Sequence, residues 1–547
     1  MRKIFTLFTA LMVAYAANAG EYHITNASAN AISDQVNSAE AGSIIYLADG
    51  NYTQSDQIKF KKNVTLMAEP GAHPVVFIHY YCTITNGADV TVNGIKFVGD
   101  NHIYHDKTEE AILYTADDDE VIAGTKAVGD VKVEAVYEDR AALDHCFRSH
   151  DASDGTEDLV LVNCEFKGFP DYIIYAQRGN RRMNSITINN CYFHDNVRSA
   201  VYVGYDSEAS TNLACNAVTI ENSTFANFTD VKEALISIKN AGTTASDIAV
   251  SVDHCTFYNF VKNTSGDYSF IDCRKLSNVA ISNCIFAQPT AAMSKATYTY
   301  GGTITNCLDY NTNGYRTDGV TRTNNTTGNP LFLDVANGNY TLEEGSPALN
   351  YSIGGGATTN LGDSRWVPTT ITPGYDKITY ITPKDMDFSY ANASGLHAYK
   401  AVSATSGGVV MQEVDTVPAN TPLVLIGTHD ETYTIAGAAY CSAPKVNLLK
   451  QGDGTTVFNG STPDYLLYSD GKFYQIGSGT VATDKAFLHL AGSLSSAAGL
   501  RMIFEDNGAT DINAIEADEE GVKFIKNGKL YIKKNNIVYD ALGRVVR

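Results

Sequence analysis

Two cationic side chains, Lys239 and Arg274, are the residues of this sequence best placed to do chemistry. They end two similar segments, Ile236-Ser237-Ile238-Lys239 and Ile271-Asp272-Cys273-Arg274. If the segments are strands in successive turns of a repeat, the two cations lie about 4.8 Å apart and repel by roughly 3 kcal/mol at an effective dielectric constant of 20. Such a pair favours an anion, and a uronic acid carboxylate would serve. The chemistry that fits is β-elimination, in which a base removes the proton next to the carboxylate and cations stabilise the developing charge.

The same alignment predicts the side chains that flank this pair. Inward positions are Ile, Val, Ala or Cys in every copy, and two outward rows result: Tyr175, Tyr202, Ser237 and Asp272 in one, Gln177, Gly204, Lys239 and Arg274 in the other. Tyrosine rings offer flat surfaces to sugars. The adjoining loop adds carboxylate-binding cations, namely Arg178, Arg181 and Arg182. The alternative is that these charges are ordinary solvated surface.

An internal repeat must position these strands. Alternating strand residues are followed by an Asn-like residue, a small residue, a spacer and Phe, as in Val160-Leu161-Val162-Asn163-Cys164-Glu165-Phe166. A Cys or Ser column recurs every 23 to 32 residues: Cys164, Cys191, Ser223, Cys255, Cys284 and Cys307. This period predicts a β-solenoid, with stacked Phe inside and with the Asn column at a bend of left-handed backbone.

The ten cysteines are compatible with two states. In an exported protein they suggest disulfides. Most of them, however, fall in one column of the repeat, where parallel stacked side chains suit the geometry of a disulfide poorly. Buried free thiols are therefore expected, with disulfides along the column as the alternative.

These features resemble the pectate-lyase-like superfamily of right-handed parallel β-helices over roughly residues 20–370. The segment from Ala39 to Leu47, with Asp49-Gly50-Asn51-Tyr52-Thr53, is similar to the first turn of polysaccharide lyases of the chondroitinase B and alginate lyase type. A short helix over Ala31 to Val36 is expected to close that end of the core. Asn329-Pro330-Leu331-Phe332 and Gly345-Ser346-Pro347-Ala348, followed by Gly362 to Trp366, are similar to the closing turn of such proteins.

The resemblance also implies a site. Lyases of the chondroitinase B type carry acidic calcium ligands before a lysine base and an arginine on the next turn. Glu233, Lys239 and Arg274 match this pattern in part, because Leu235 stands where a second acid is expected. Ca²⁺ bound through Glu233 and Asp206 is the metal prediction.

A rival placement rests on other short segments. Asp144-His145 and Asp154-Gly155 are similar to parts of pectate lyases, and this similarity would make Arg198 the base. The two placements stay open at this stage, together with the possibility that neither is a catalytic site.

Composition and the chain ends bound the rest. The formal net charge of -21 argues against nucleic acid, so an acidic substrate needs a local basic patch. A basic start, an apolar run and Ala17-Asn18-Ala19 predict a signal peptide at 1–19 and a secreted or surface location, with no transmembrane segment. After a Thr/Pro/Gly stretch expected to be a linker, residues 371–508 should form a smaller β-sandwich-like accessory module. Residues 509–547 are similar to a sorting tail of the type IX secretion pathway.

Three functions are compatible with this all-β architecture. The first is a polysaccharide lyase, a carbon-oxygen lyase acting on a uronic-acid-containing glycan. The second is a non-catalytic surface protein that binds a glycan or acts as an adhesin. The third, a glycoside hydrolase, needs several outward Asp residues on adjacent turns, and the predicted rows contain only Asp272.

Overall fold

The computed structural model shows a right-handed parallel β-helix followed by a module of largely antiparallel sheets, as the sequence predicts. It describes residues 19–25, 28, 30–54, 56–78, 80–99, 145–150, 156–177, 181–204, 214–231, 234–239, 248–261, 268–273, 276–289, 295–316, 319–405, 407–441, 443–460, 462–492 and 499–504. It describes the backbone alone at 103–105, 111–113, 262, 522–526, 529–534 and 537–540. The predicted signal peptide lies outside the described residues except for Ala19.

Three long parallel sheets form the β-helix. Sheet A consists of Glu21–Ile24, Ser43–Leu47, Val64–Ala68, Val90–Asn93, Asp158–Val162, Ser185–Asn189, Ala217–Glu221, Ala249–Asp253, Val279–Ser282, Thr303–Thr305 and Thr321–Thr323. Sheet B consists of Asn51–Gln54, Val75–Ile78, Lys96–Val98, Glu165–Lys167, Tyr192–His194, Thr224–Val231, Thr256–Lys262, Ile285–Ala287, Leu308–Tyr310 and Thr326–Thr327. Sheet C consists of Lys59–Phe60, Cys82–Ile84, His145–Ser149, Tyr172–Gln177, Val201–Gly204, Ala234–Ile238, Ser269–Cys273 and Thr297–Thr299.

The Asn column lies at the bend from sheet A to sheet B. Asn163, Asn190, Asn222, Asn283 and Asn306 have φ between 45° and 54°, and His254 adopts the same left-handed backbone at 48°. Side-chain amides join neighbouring turns, for example from Asn190 Nδ2 to Asn163 Oδ1 at 2.7 Å. The predicted ladder is confirmed, and it joins neighbouring turns at the bend that leads into sheet B.

The interior carries the two predicted columns. The rings of Phe97, Phe166, Phe193, Phe225, Phe257 and Phe286 stack with centroids 4.6 to 5.3 Å apart. Beyond Phe286 the next position in register is Asp309, where the stack ends. The cysteines are buried free thiols, which confirms the preferred prediction.

Both ends of the solenoid are closed by their own elements. The helix Ala31–Ser38 places Ile32 and Val36 on the first turns, as expected. At the far end two short hairpins follow, Phe332–Asp334 with Asn339–Leu342 and Tyr351–Gly354 with Ala357–Thr359. The 3-10 helices are Val335–Asn337 and Ser364–Trp366. A further strand pair, Ile103–His105 with Ala111–Leu113, is described by its backbone.

The C-terminal module has two sheets and a short helix, Ser389–Ala393. The smaller sheet consists of Thr369–Ile371, Tyr433–Gly437, Met386–Asp387 and Thr416–Val417. The larger consists of Lys377–Ile381, Pro422–Ile426, His397–Thr405, Gly408–Glu413, Leu500–Phe504, Lys472–Gln475, Asp464–Leu467, Ala486–His489 and Leu449–Gln451. Beyond it, Val522–Lys526, Lys529–Lys534 and Ile537–Asp540 form an antiparallel sheet. The sorting role of this tail stays a prediction.

The junction between the β-helix and the module differs from the expected linker. Thr369–Ile371 is a strand that pairs with Tyr433–Ile435 of the module. Just before it, Trp366 is buried and donates through Nε1 to Thr224 Oγ1 at 2.8 Å. The linker prediction was wrong here because Thr- and Pro-rich segments also suit an edge strand whose pairing depends on distant residues.

In the described part of the chain, no helix combines the length and the apolar character needed to span a membrane.

Candidate functional site

The outward face of sheet C carries one continuous row of side chains in register. The strand pairings align Tyr175 with Tyr202, Tyr202 with Ser237, and Ser237 with Asp272. The predicted row is therefore confirmed as an alignment. It also extends in both directions: the full row is Lys59, Thr83, Arg148, Tyr175, Tyr202, Ser237, Asp272 and Tyr298.

The second predicted row is described only in part. Gln177 pairs with Gly204, and Lys239 follows the next strand, with its backbone N–H donating to Val203 O at 2.8 Å. A β-carbon at Gly204 would clash with the ring of Tyr202, so glycine there leaves room for that ring. Arg274 lies outside the described residues, as do Glu233, Asp206 and Arg178. The proximity of Lys239 and Arg274 stays a prediction.

Most side chains of the first row are buried although they point away from the core. Tyr175 is 8% exposed and Asp272 is 0% exposed, and Arg148, Ser237 and Tyr298 are also buried. Burying a charged group is costly unless neighbours stabilise it. These positions are therefore part of an enclosed, packed surface, in contrast to the open solvated face that outward solenoid positions usually form.

Four aromatic rings form a stack on this face. His145 lies on Tyr175 with centroids 4.1 Å apart and planes 5° from parallel, and Tyr175 lies parallel to Tyr202 at 5.5 Å. Tyr172 packs against Tyr202 at 4.6 Å. The Tyr175 hydroxyl donates to Oε1 of Gln177. We call these rings the sheet C aromatic stack.

Guanidinium groups lie over rings at three places along the same face. Arg148 lies 3.4 Å from the centroid of Tyr81, and Arg181 lies 5.7 Å from that of Tyr175. Arg316 lies over Tyr300 at 4.0 Å. Arg148 and Arg316 were not predicted. Arg148 would have been found by extending the strand alignment one turn towards the N-terminus, whereas no periodic signal marks Arg316.

The rival base, Arg198, forms an ion pair. Its Nη1 lies 2.8 Å from Asp171 Oδ1, and both side chains are about three-quarters buried. Of the segments that suggested this placement, His145 belongs to the sheet C aromatic stack, while Asp144, Asp154 and Gly155 lie outside the described residues. The role of Arg198 as a base stays a prediction.

The predicted calcium site at Glu233 and Asp206 stays a prediction. Among the described residues, no three His, Cys, Asp or Glu side chains come together as a metal site requires. The residues predicted to hold Ca²⁺, Glu233 and Asp206, lie outside that set. We therefore derive no chemical step through calcium.

Comparisons with known proteins leave the activity open. Residues 250–366 match the model of a family described as a domain of unknown function, DUF5123. A comparison with curated proteins finds no match. Among solved structures, the PL6 family alginate lyase AlyGC aligns at 16% identity with a TM-score of 0.38, over 57% of this chain and 40% of that chain.

Two further structures are similar at lower scores. A PL6 alginate lyase in complex with a trisaccharide aligns at 13% identity and a TM-score of 0.28, over 61% of this chain and 68% of that one. The tailspike protein of the Acinetobacter phage vB_ApiP_P1 aligns at 10% identity and a TM-score of 0.25, over 78% and 88%. The chain thus spans well under half of AlyGC, and likeness at these scores carries no argument about activity.

Proposed function

We propose that this protein binds an acidic extracellular polysaccharide along the outward face of sheet C and cleaves it by β-elimination. The observation that carries the proposal is the sheet C aromatic stack, flanked by guanidinium groups over neighbouring rings. Guanidinium groups suit carboxylates, and the edges of the stacked tyrosine rings suit contact with sugar hydroxyl groups.

The acidic character of the ligand follows from local charge. The chain as a whole has a formal net charge of -21, so it attracts no polyanion in general. Arg148, Arg181 and Arg316 concentrate positive charge along one face. These guanidinium groups favour a uronic-acid-containing chain over a neutral one at this face.

The proposed cleavage uses Lys239 as the base and Arg274 as the cation at the carboxylate. The proton at C5 of the uronate passes to the neutral amine of Lys239, and its electron pair forms the C4–C5 double bond. The C4–O bond breaks as the departing oxygen takes a proton from water, and the hydroxide left behind takes the proton from Lys239. Arg274 stabilises the charge that develops on the carboxylate. We also propose that the protein is secreted, that its tail attaches it to the cell surface, and that Glu233 and Asp206 bind Ca²⁺.

The test is an ultraviolet absorbance assay for unsaturated uronates. The mature chain is mixed with pectins, alginates and glycosaminoglycans, with Ca²⁺ or with a chelator. We expect absorbance to rise with at least one glycan and the rise to disappear in Lys239→Ala and in Arg274→Ala, while Lys450→Ala, an exposed lysine of the module, behaves as wild type.

Binding measured beside the assay separates the alternatives. A flat trace with retained glycan binding would leave the protein as a non-catalytic glycan-binding surface protein. Loss of both would overturn the proposal. A rise that survives both substitutions and disappears in Arg198→Ala would move the base to the rival position.

A further inference from the structure

A cavity of about 490 Å³ lies between the β-helix and the C-terminal module, on the side of sheet B and away from sheet C. Its floor is the Asn column, with Asn163, Asn190 and Asn222. Pro383, Lys384 and Asp385 of the module form the opposite wall. This volume is in the range of pockets that hold small organic ligands, roughly 300–1,000 Å³.

Arg365 brings a buried positive charge to this cavity. Its Nη2 donates to both the backbone oxygen and Oδ1 of Asn190 at 2.9 Å, and its side chain is 10% exposed. Nη1 is buried, has no hydrogen-bond acceptor among the described residues and lies 3.8 Å from Asp363 Oδ2. This guanidinium is thus ion-paired with Asp363 but keeps an N–H group without a hydrogen-bond acceptor, and a ligand carboxylate is a suitable acceptor for it.

His73 is the second residue at the cavity with a buried polar atom that has no hydrogen-bond partner among the described residues. Its ring packs edge-on against Tyr440 at 5.5 Å, and its Nε2 is buried without a hydrogen-bond partner among the described residues. Burial lowers the pKa of His73, although Asp385 and Asp49 act in the opposite direction. A neutral imidazole can donate or accept one hydrogen bond, as a sugar hydroxyl requires.

The remaining charges around the cavity are already engaged. Glu165 is paired with Lys96 at 2.9 Å and with His194 at 2.8 Å. Lys384 donates to the carbonyl oxygens of Ser364, Arg365 and Val367. Asp385 accepts from the backbone N–H of Ala419 at 3.0 Å. The carboxylates of Glu165 and Asp385 disfavour a multiply charged anion. A ligand with one carboxylate and several hydroxyl groups suits the lining.

We infer that this cavity is a second saccharide site, which binds an acidic mono- or disaccharide with its carboxylate at Arg365 and a hydroxyl at His73. The amides of Asn163 and Asn190 supply further donors, because each –NH₂ has two N–H groups and the ladder uses one of them. The site goes beyond the function proposed for sheet C, since it lies on another face and involves different residues.

The test is calorimetric titration of the full mature chain with disaccharides of galacturonic, mannuronic and glucuronic acid, and with cellobiose as the neutral probe. We expect one acidic disaccharide to bind. We expect His73→Ala and Arg365→Gln each to weaken it about tenfold or more, while His429→Ala, an exposed histidine of the module, leaves it unchanged. Thermal melting shows whether Arg365→Gln is folded, and His73→Ala serves if it is not.

Three outcomes would overturn the inference. Absence of binding by any acidic disaccharide would mean that the cavity holds only water. Equal affinity for the neutral cellobiose would show that the site does not recognise the carboxylate of the ligand. Binding lost in Tyr175→Ala but retained in His73→Ala would belong to sheet C, and so would count against the second site while leaving the proposed function intact.

Discussion

The imidazole of His145 stacks on the ring of Tyr175 at 4.1 Å, although its backbone partner in the neighbouring strand is Tyr172. The ring thus leans along the strand onto the next outward position and meets a tyrosine that already faces Tyr202 one turn later. Parallel strands about 4.8 Å apart keep such rings in contact. The result is one aromatic surface that spans three consecutive turns.

Removing a ring from this surface should weaken glycan binding. For Tyr175→Ala and for Tyr202→Ala we expect affinity for the best acidic glycan to fall about tenfold or more, since buried tyrosines dominate binding surfaces at more than about 1 kcal/mol each. Affinity electrophoresis or calorimetry would measure this. Tyr468→Ala, an exposed tyrosine of the module, is the control. Unchanged affinity in both variants would place the ligand elsewhere.

Shortening a ring in the Phe stack should destabilise the protein without touching the site. Phe225 is 0% exposed and stacks between Phe193 and Phe257. For Phe225→Ala we expect a loss of about 3–5 kcal/mol in the free energy of unfolding, measured by denaturant titration. Phe504→Ala, at a residue that is 42% exposed, should cost far less. Equal losses would contradict the stack as a main source of stability.

The sequence predicted those parts of the fold that repeat. The Asn column, the Phe column and the outward row from Tyr175 to Asp272 could be aligned because each turn presents the same environment to equivalent positions. The sequence did not predict features that occur only once in the structure. The strand Thr369–Ile371 pairs with residues more than 60 positions away, and the placement of Arg316 over Tyr300 depends on side-chain directions that no period encodes.

Glu165 and His194, which are in contact on sheet B, should make the free energy of unfolding depend on pH at both ends of the range. Burial alone would raise the pKa of Glu165, but Lys96 and His194 outweigh it and lower the pKa to about 2. Glu165 therefore stabilises the fold above its ordinary value of 4.5, and up to about 3 kcal/mol is lost as the pH falls towards 2. Glu165→Gln should remove this loss in acid melting curves, and Glu344→Gln, at an exposed position, should not.

His194 acts at the other end of the pH range. Burial would lower its pKa, but hydrogen bonds to Asp195 and Glu165 outweigh burial and raise the pKa above 6.5. Its contribution is fully present below pH 6.5 and is lost as the pH rises through the raised pKa. Melting temperatures should therefore fall on the alkaline side, and His194→Gln should flatten that limb. A wild-type curve that is flat between pH 6 and 9 would contradict this pairing.

The cysteines should not react with thiol reagents in the native protein. All ten are buried, and burial raises the pKa of Cys215, for example, to about 12. A thiol reagent should therefore titrate almost none of them before unfolding and all ten after unfolding without reductant. Fewer than ten in the unfolded chain would reveal disulfides along the column.

The C-terminal module and the closing segment before it contact the solenoid at two separate points. Tyr440 reaches the backbone oxygens of Pro74 and Gly94, and Trp366 reaches Thr224, in the strand of sheet B three turns later. In a free solenoid each turn touches only its neighbours, so whole repeats can be gained or lost. Here the two contacts lie a fixed number of turns apart. A duplicated or deleted turn between Gly94 and Thr224 would change that spacing, and one of the two contacts would be lost. We therefore expect the number of turns in this stretch to be constrained.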